Sequence, residues 1–260
     1  KVKNKLNRDL IIITGAGQGI GKNIALNIDE NYDLFLISKT NNCKFVADSI
    51  KKKSKDSKRK INYKVINFEN KIDFKKILKK HKVLKYNNIH TILCAAMIED
   101  NVNSYLNEIN WVKLFRVNFL ANINLINSIY NSKKKSKKLK KIIVFSGGGA
   151  TNSFKEFPIY SITKTATVRM VENYSEIFSR KKISIFAVAP GAVNTKMLQK
   201  VLKVTKVGTK SKMNDVIKFI KFSLKINTSI FNGRLINIKD NISKISKNKN
   251  PNYLKLRRVE

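Results

Sequence analysis

The sequence predicts a single-domain α/β fold, a doubly wound parallel sheet of seven strands flanked by helices. Three observations carry that expectation. Short β-branched apolar runs alternate with longer stretches of helical period. The first such run passes directly into glycines and a helical stretch, LIIITGAGQGIGKNIA, residues 10–25. No internal repeat or Pro/Gly-rich linker divides the 260 residues, so one domain, 1–260, is expected.

Taken in order, strands are expected near Leu10–Thr14, Leu34–Ser38, Asn62–Phe68, His90–Cys94, Lys141–Phe145, Ser184–Ala189 and Gly233–Ile238. Helices are expected near 19–30, 42–53, 71–82, 103–131, 158–180 and 212–226. The first strand stops at Thr14, where the glycines begin, and the second ends LFLISKTNN. The fourth runs into the small residues of ILCAAMIED, and the fifth into FSGGGATNSF. YSITK opens the helix after that. Pro190 and Gly191 break the sixth strand and turn the chain.

Hydrophobic residues at 42% and aromatics at 9% mark a globular chain. The net charge of +37 by itself calls for an anionic partner. Asn and Ile are abundant beside Lys, however, the blend that a biased genome composition produces. RNA-binding, helix-turn-helix and zinc-finger patterns are missing, so no nucleic acid or membrane partner is favoured. The runs KKKSKDSKRK (51–60) and NSKKKSKKLKK (131–141) each fall between a helix and the next strand. That places them at the amino-terminal edge of a parallel sheet, opposite the ligand edge, as solvated faces. Cys43 and Cys94 match no disulfide or metal spacing, so no metal is expected and a reducing cytoplasm is the expected location. The apolar run near the start is too short for a signal peptide core or a membrane span.

Several short stretches carry chemistry. Gly15, Gly17, Gly19 and Gly21, with Gln18 and Ile20 between them, let backbone N–H groups and a helix N-terminus face a pyrophosphate. The pattern is T-G-x-x-x-G-x-G, since Ile20 stands where a strict G-x-G-x-x-G has its last glycine. Alone, such a turn fits tight packing as well as cofactor binding. Ser38 and Lys39 end the second strand where NAD-selective domains carry an acid. A Lys there pairs with a 2′-phosphate, so NADP is preferred over NAD, with chance placement of an abundant Lys as the rival.

Asn118 interrupts the apolar stretch WVKLFRVNFLANINL. An amide inside a helix needs a partner, and local backbone is the plain alternative to a functional one. Tyr160 and Lys164 stand at i and i+4, on one helix face. A free phenol has a pKa near ~10, and a neighbouring ammonium favours its phenolate. Ser146, at a strand end, is placed to bond a substrate oxygen. The glycine turn, Ser38/Lys39, Asn67, Cys94–Met97, Ser146 and Pro190–Thr195 all follow carboxyl ends of expected strands, the edge where such sheets bind ligands.

The motifs TGAGQGIG, CAA, Asn118, SGGG, YSITK and PGAVNT occur in the order, and at nearly the spacing, of the short-chain dehydrogenase/reductase family. The chain resembles that family from Leu10 to the NGRLINI strand, which implies a Rossmann fold. The resemblance also implies a catalytic tetrad of Asn118, Ser146, Tyr160 and Lys164. Tyr is then the general acid/base, Lys lowers its pKa and binds the nicotinamide ribose, Ser orients the substrate oxygen, and Asn holds a water in the proton relay. Cofactor contacts are implied along the glycine turn from Gly15 to Gly21 and at Ser38, Lys39, Asn67 and Phe68. Further contacts are implied at Cys94, Ala95 and Ala96, at Pro190, Gly191, Val193 and Thr195, and at Tyr160 and Lys164.

Met97 replaces a usual Gly, and Asn67 a usual Asp. Ser146 lies one residue farther from Tyr160 than is commonest, Gly147 taking the usual place. SGGGAT with the tail YLKLRRVE resembles one branch of the family. By the same resemblance residues 196–215 are a substrate-covering loop. Its lysines fit an anionic carbonyl or alcohol substrate, or simply the lysine-rich background. A homodimer or homotetramer pairing through helices 103–131 and 158–180 is also implied. The rival from another class is a non-catalytic dinucleotide-binding protein that engages nucleic acid or membrane through its basic face.

Overall fold

Strand β1 (Asp9–Thr14) is buried from its second residue onward, because it lies in the middle of a sheet covered on both faces. The computed structural model describes residues 8–101, 103–132, 139–208, 210–248, 250 and 252–256. Around β1 lie β2 (Tyr32–Ser38), β3 (Ile61–Val65), β4 (Ile89–Leu93), β5 (Leu139–Phe145) and β6 (Ser184–Ala189). Helices α1 (Gly19–Asn27), α2 (Asn42–Lys53) and α3 (Phe74–Lys80) link the first four strands. Between β4 and β5 run α4 (Glu108–Phe115) and α5 (Ala121–Tyr130), and α6 (Pro158–Ile177) leads to β6. The remainder comprises β7 (Ala192–Val193), α7 (Lys196–Leu202), β8 (Lys210–Ser211), α8 (Met213–Lys225), β9 (Leu235–Asn237) and α9 (Ile242–Lys247).

The main sheet has seven strands in the order β3-β2-β1-β4-β5-β6-β9, and every neighbouring pair is parallel. This is the expected doubly wound, single-domain Rossmann architecture. Alternation along β1 divides two cores. Leu10 and Ile12 pack with α3, α5 and α6 on one face. Ile11 and Ile13 pack with α1, α2 and α8 on the other. Crossovers lead away from β1 in both directions, so the strand order reverses between β1 and β4 and opens a crevice at their carboxyl ends.

The elements depart from the sequence reading in four places. β3 stops at Val65 rather than Phe68, because Asn67 turns the chain: its Oδ1 accepts from the Glu69 N–H at 3.1 Å. The expected last strand narrows to Leu235–Asn237, with Gly233 outside it at φ +72°. Helix 103–131 is a composite of a 3-10 turn (Ser104–Leu106), α4, a π-helical segment (Arg116–Leu120) and α5. Residues 196–215 include α7, which the Thr195 hydroxyl caps by accepting from the Leu198 N–H, and β8, which pairs with β7.

The first lysine run does lie at the amino-terminal edge, between α2 and β3, yet not all of it is a solvated face. Arg59 is buried there and donates to the carbonyls of Tyr32, Ile28 and Asp29. Residues 133–138 of the second run, and Arg257 and Arg258 of the tail, lie outside the described residues. Among the described residues no helix is long and apolar enough to cross a membrane, and no cluster of His, Cys, Asp and Glu could hold a metal. Cys43 and Cys94 are free thiols.

Candidate active site

The glycine turn is shaped by close approach. Gly15 has φ +68°, and a Cβ on it would lie 2.9 Å from the Ala95 nitrogen. A Cβ on Gly21 would meet the Gly15 carbonyl oxygen at 2.5 Å. The turn is therefore pressed between the ends of β1 and β4, where the Ala95 N–H also donates to Thr14 Oγ1. Thr195 packs beside Gly19, 3.4 Å from where its Cβ would be, which brings the chain after β6 to the same turn. No side chain caps α1, whose first N–H groups stay available to an anion. Gln18 is exposed, whereas Ile20 packs against the core. Backbone that no side chain can crowd, opening on a free helix N-terminus, fits a dinucleotide pyrophosphate.

At the end of β2, Ser38 donates to the Thr40 carbonyl at 2.6 Å, beside Gly17. Lys39 forms an ion pair with Glu69, which also faces Lys113 at 3.5 Å. The hydrogen bond from Lys39 holds the Glu69 carboxyl below its usual range. Sequence reasoning missed Glu69; an acid two residues beyond Asn67 was its only trace. Phe68 is buried edge-on against Phe74 in the core. Pro190 is buried, Gly191 turns at φ +70°, and Val193 is buried in the β7–β8 pair.

Asn118 is completely buried in the π-helical segment. Its Oδ1 accepts from the Met97 N–H at 2.8 Å, while its Nδ2 donates to the Met97 carbonyl at 2.9 Å and to Thr163 Oγ1 at 3.0 Å. Its partners are thus distant in sequence and not local backbone. The amide clamps the loop after β4 to α6, and Thr163 is a member of this arrangement that the sequence did not single out. Met97 is held by its backbone, with its side chain packed against the core.

Ser146 and Lys164 are both buried. The Ser146 hydroxyl donates to the Lys164 carbonyl at 3.3 Å, and Lys164 Nζ donates to the Phe145 carbonyl at 2.9 Å. The same ammonium lies 5.4 Å from the Tyr160 ring centroid. A Cβ on Gly147 would stand 3.7 Å from the Tyr160 hydroxyl, so the phenol oxygen reaches over the turn that carries Ser146. Lys164, Ser146 and Tyr160 thus meet at the carboxyl ends of β4 and β5. Burial pulls Lys164 down to about 8.

The phenol does not follow the sequence expectation of a lowered value. Burial, then the nearby Glu99 carboxylate, push Tyr160 up to about 12. Lys164 Nζ lies at the ring's side, bonded to the Phe145 carbonyl. Burial likewise raises the Cys94 thiol, leaving it neutral. Beside Tyr160, Ile98, Phe157 and Val201 form a small apolar cluster with Phe154, Met197 and Val207. Asp100 and Lys200 pair across it at 2.9 Å, tying α7 to the loop after β4.

A parallel sheet reversed at a glycine turn, with a tyrosine, a lysine and a serine gathered at its carboxyl edge, is the arrangement of a dinucleotide-dependent oxidoreductase. A model of the family described as short chain dehydrogenase matches residues 9–206. The chain belongs to that family, whose enzymes act on alcohol and carbonyl groups with NAD(P). It is 24% identical over 252 residues to the 3-oxoacyl-[acyl-carrier-protein] reductase FabG of Thermotoga maritima, covering 90% of this chain and 97% of that one.

Among solved structures, a Beutenbergia cavernae protein described as an NAD(P)-dependent gluconate 5-dehydrogenase, with NADP bound at low occupancy, superposes with TM-score 0.76 at 17% identity. That match covers 90% of this chain and 96% of the other. A 4-hydroxyisoleucine dehydrogenase complexed with NADH gives TM-score 0.73 at 18% identity, covering 88% and 96%. At such identities these are likenesses of fold.

Proposed function

We propose that the protein interconverts a carbonyl compound and its secondary alcohol, preferring NADP(H), with Tyr160 as the general acid/base. The observation that carries this reading is the position of the Tyr160 hydroxyl over the Ser146–Gly147 turn, with the Lys164 ammonium beside its ring. A bound nicotinamide supplies hydride to the carbonyl carbon or takes it back from the alcohol. Tyr160 gives a proton to the carbonyl oxygen in reduction and removes it in oxidation. Ser146 holds that oxygen by a hydrogen bond. Lys164 supplies positive charge beside the phenol and a donor for the ribose. Asn118 keeps the loop after β4 and α6 in register, the position from which a proton relay is served.

The substrate lies against the Ile98–Phe157–Val201 cluster, under residues 196–215 as a cover. Lys196, Lys200 and Lys203 on that cover favour an anionic substrate. Pairing of copies through α4 and α6 is supported by the exposed Leu106, Ile109, Val112 and Ile162 on and beside those helices. The SGGG turn and LRR tail support the narrower branch of the family, and the two free thiols support a cytoplasmic location.

The test is a panel of carbonyl substrates assayed with NADPH and with NADH. Hydride transfer to at least one of them, faster with NADPH, is expected. Salt-sensitive retention on nucleic acid with no transfer to any substrate would instead favour a binding protein. Lys39→Asp is expected to move the preference toward NADH by roughly tenfold or more, since a carboxylate repels the 2′-phosphate and the Lys39–Glu69 pair is lost. Unchanged discrimination between the two cofactors would remove Lys39 from the cofactor site.

A further inference from the structure

Lys39 directly follows β2, and Ser38 before it lies against Gly17 of the glycine turn. In this fold the ribose 2′ position of a dinucleotide falls there. Lys39 is not idle. Its ammonium is held by the Glu69 carboxylate, which follows the neighbouring strand β3, and Lys113 of α4 faces the same carboxylate at 3.5 Å. The hydrogen bond from Lys39 keeps that carboxyl below its usual range, so it is ionised near neutral pH. The backbone beneath it is pinned. The Glu69 N–H donates to Asn67 Oδ1 at 3.1 Å, and its carbonyl accepts from Arg116 Nη1 at 3.0 Å.

One carboxylate on a fixed base thus stands between an ammonium from the β2 end and another from α4. Of the three side chains Lys39 is the most open, at 62% exposed against 36% for Lys113 and 21% for Glu69. An ion pair this open is weakly held, so Lys39 can exchange one anion for another with little loss of free energy. A 2′-phosphate, with about two negative charges at neutral pH, is the stronger claimant. It nevertheless meets a carboxylate beside the cation it needs.

We propose that Glu69 sets how strongly the protein discriminates between NADP(H) and NAD(H): its carboxylate competes with the 2′-phosphate for Lys39, and Lys113 keeps hold of that carboxylate when the phosphate draws Lys39 away. The proposal rests on the reading of Lys39 as the 2′-phosphate contact. Binding of a 2′-phosphorylated dinucleotide then exchanges the Lys39–Glu69 pair for a Lys39–phosphate pair. A dinucleotide with a free 2′-hydroxyl leaves the first pair intact. The sign follows from charge: a carboxylate opposes a nearby phosphate whether or not the two touch, so removing it strengthens NADP(H) binding and spares NAD(H). Lys113 acts the other way. Without it, Glu69 depends more on Lys39 and releases it less readily.

Glu69→Gln keeps the length of the side chain and an accepting oxygen, and removes the charge. Dissociation constants for NADPH and NADH, read from dinucleotide fluorescence, and for adenosine 2′,5′-bisphosphate and AMP, read by calorimetry, require no turnover. In Glu69→Gln both 2′-phosphorylated ligands are expected to bind roughly three- to tenfold tighter, with NADH and AMP within about twofold of the parent. The gain should shrink as salt rises, because the charges face solvent. Lys113→Met is expected to weaken NADPH binding roughly two- to threefold, and to lose most of that effect when Glu69→Gln is also present.

Unchanged or weaker NADPH binding in Glu69→Gln, measured beside a Lys39→Met variant that has lost NADPH affinity, would overturn the proposal and leave Lys39 as the phosphate contact. Parental NADPH affinity in Lys39→Met would overturn both. An equal gain for NADH and NADPH would also overturn it, since a general opening of the crevice does not distinguish a 2′-phosphate. Tighter binding of the 2′-phosphorylated ligands by a protein that reduces no carbonyl would sustain the role of Glu69 while ending the proposed activity.

Discussion

Tyr160→Phe is expected to lower turnover about 10²–10⁴-fold, the usual contribution of a positioned acid or base, while leaving dinucleotide affinity and melting temperature close to those of the parent protein. The substitution removes one oxygen. The ring keeps its place beside Lys164 and in the apolar cluster with Ile98, Phe157 and Val201. The backbone N–H still reaches Glu99, so the start of α6 does not move. What is lost is the hydroxyl that reaches over the Ser146–Gly147 turn. The remaining groups offer no substitute: Ser146 has no base beside it, and Lys164 is bonded to the Phe145 carbonyl. Cofactor binding followed by fluorescence, with rates measured on the best carbonyl substrate, separates the two effects. A parental rate would mean that another group moves the proton.

The sheet was legible because each strand is a compact apolar run that ends where a ligand edge needs small or turning residues. Thr14 before Gly15, Cys94 before Ala95 and Phe145 before Ser146 all mark observed strand ends to within a residue. Tyr160 and Lys164 were legible because a helix places i and i+4 on one face whatever surrounds it. The π-helical segment was not. It forms where Asn118 reaches Met97 and Thr163, 21 and 45 residues away, and no local window contains those partners.

Glu99 and Glu69 were hidden for the same reason. Each is an ordinary acid in a loop until the fold sets it against Tyr160 or Lys39. The phenol's acidity was misjudged because the sequence shows the Lys at i+4 but not the burial of the ring or the carboxylate beside it. Arg59 shows the opposite error: within a lysine-rich run that reads as solvated, one guanidinium is buried on three backbone carbonyls.

The glycines separate packing from composition most sharply, and Gly21→Ala is expected to be costly where Gly148→Ala is not. A methyl on Gly21 would stand 2.5 Å from the Gly15 carbonyl oxygen and 3.2 Å from that of Thr14. Both are main-chain atoms of the turn, so no side chain can swing aside. To relieve the contact, α1 must move off the end of β1, and Gly15 is itself held against Ala95. Overpacking of this kind costs about 1–3 kcal/mol, which for a chain of this size lowers the melting temperature by roughly 2–4 °C per kcal/mol. The same movement displaces the helix N-terminus from a pyrophosphate, so dinucleotide affinity should fall with stability.

At Gly148 nothing lies within 4 Å of an added methyl, and the change should stay within about 0.5 kcal/mol. Thermal melts of the two variants with and without dinucleotide test the contrast. Equal melting temperatures and equal stabilisation by the ligand would mean that the glycine turn is not pressed between β1 and β4, and that the pyrophosphate is held elsewhere.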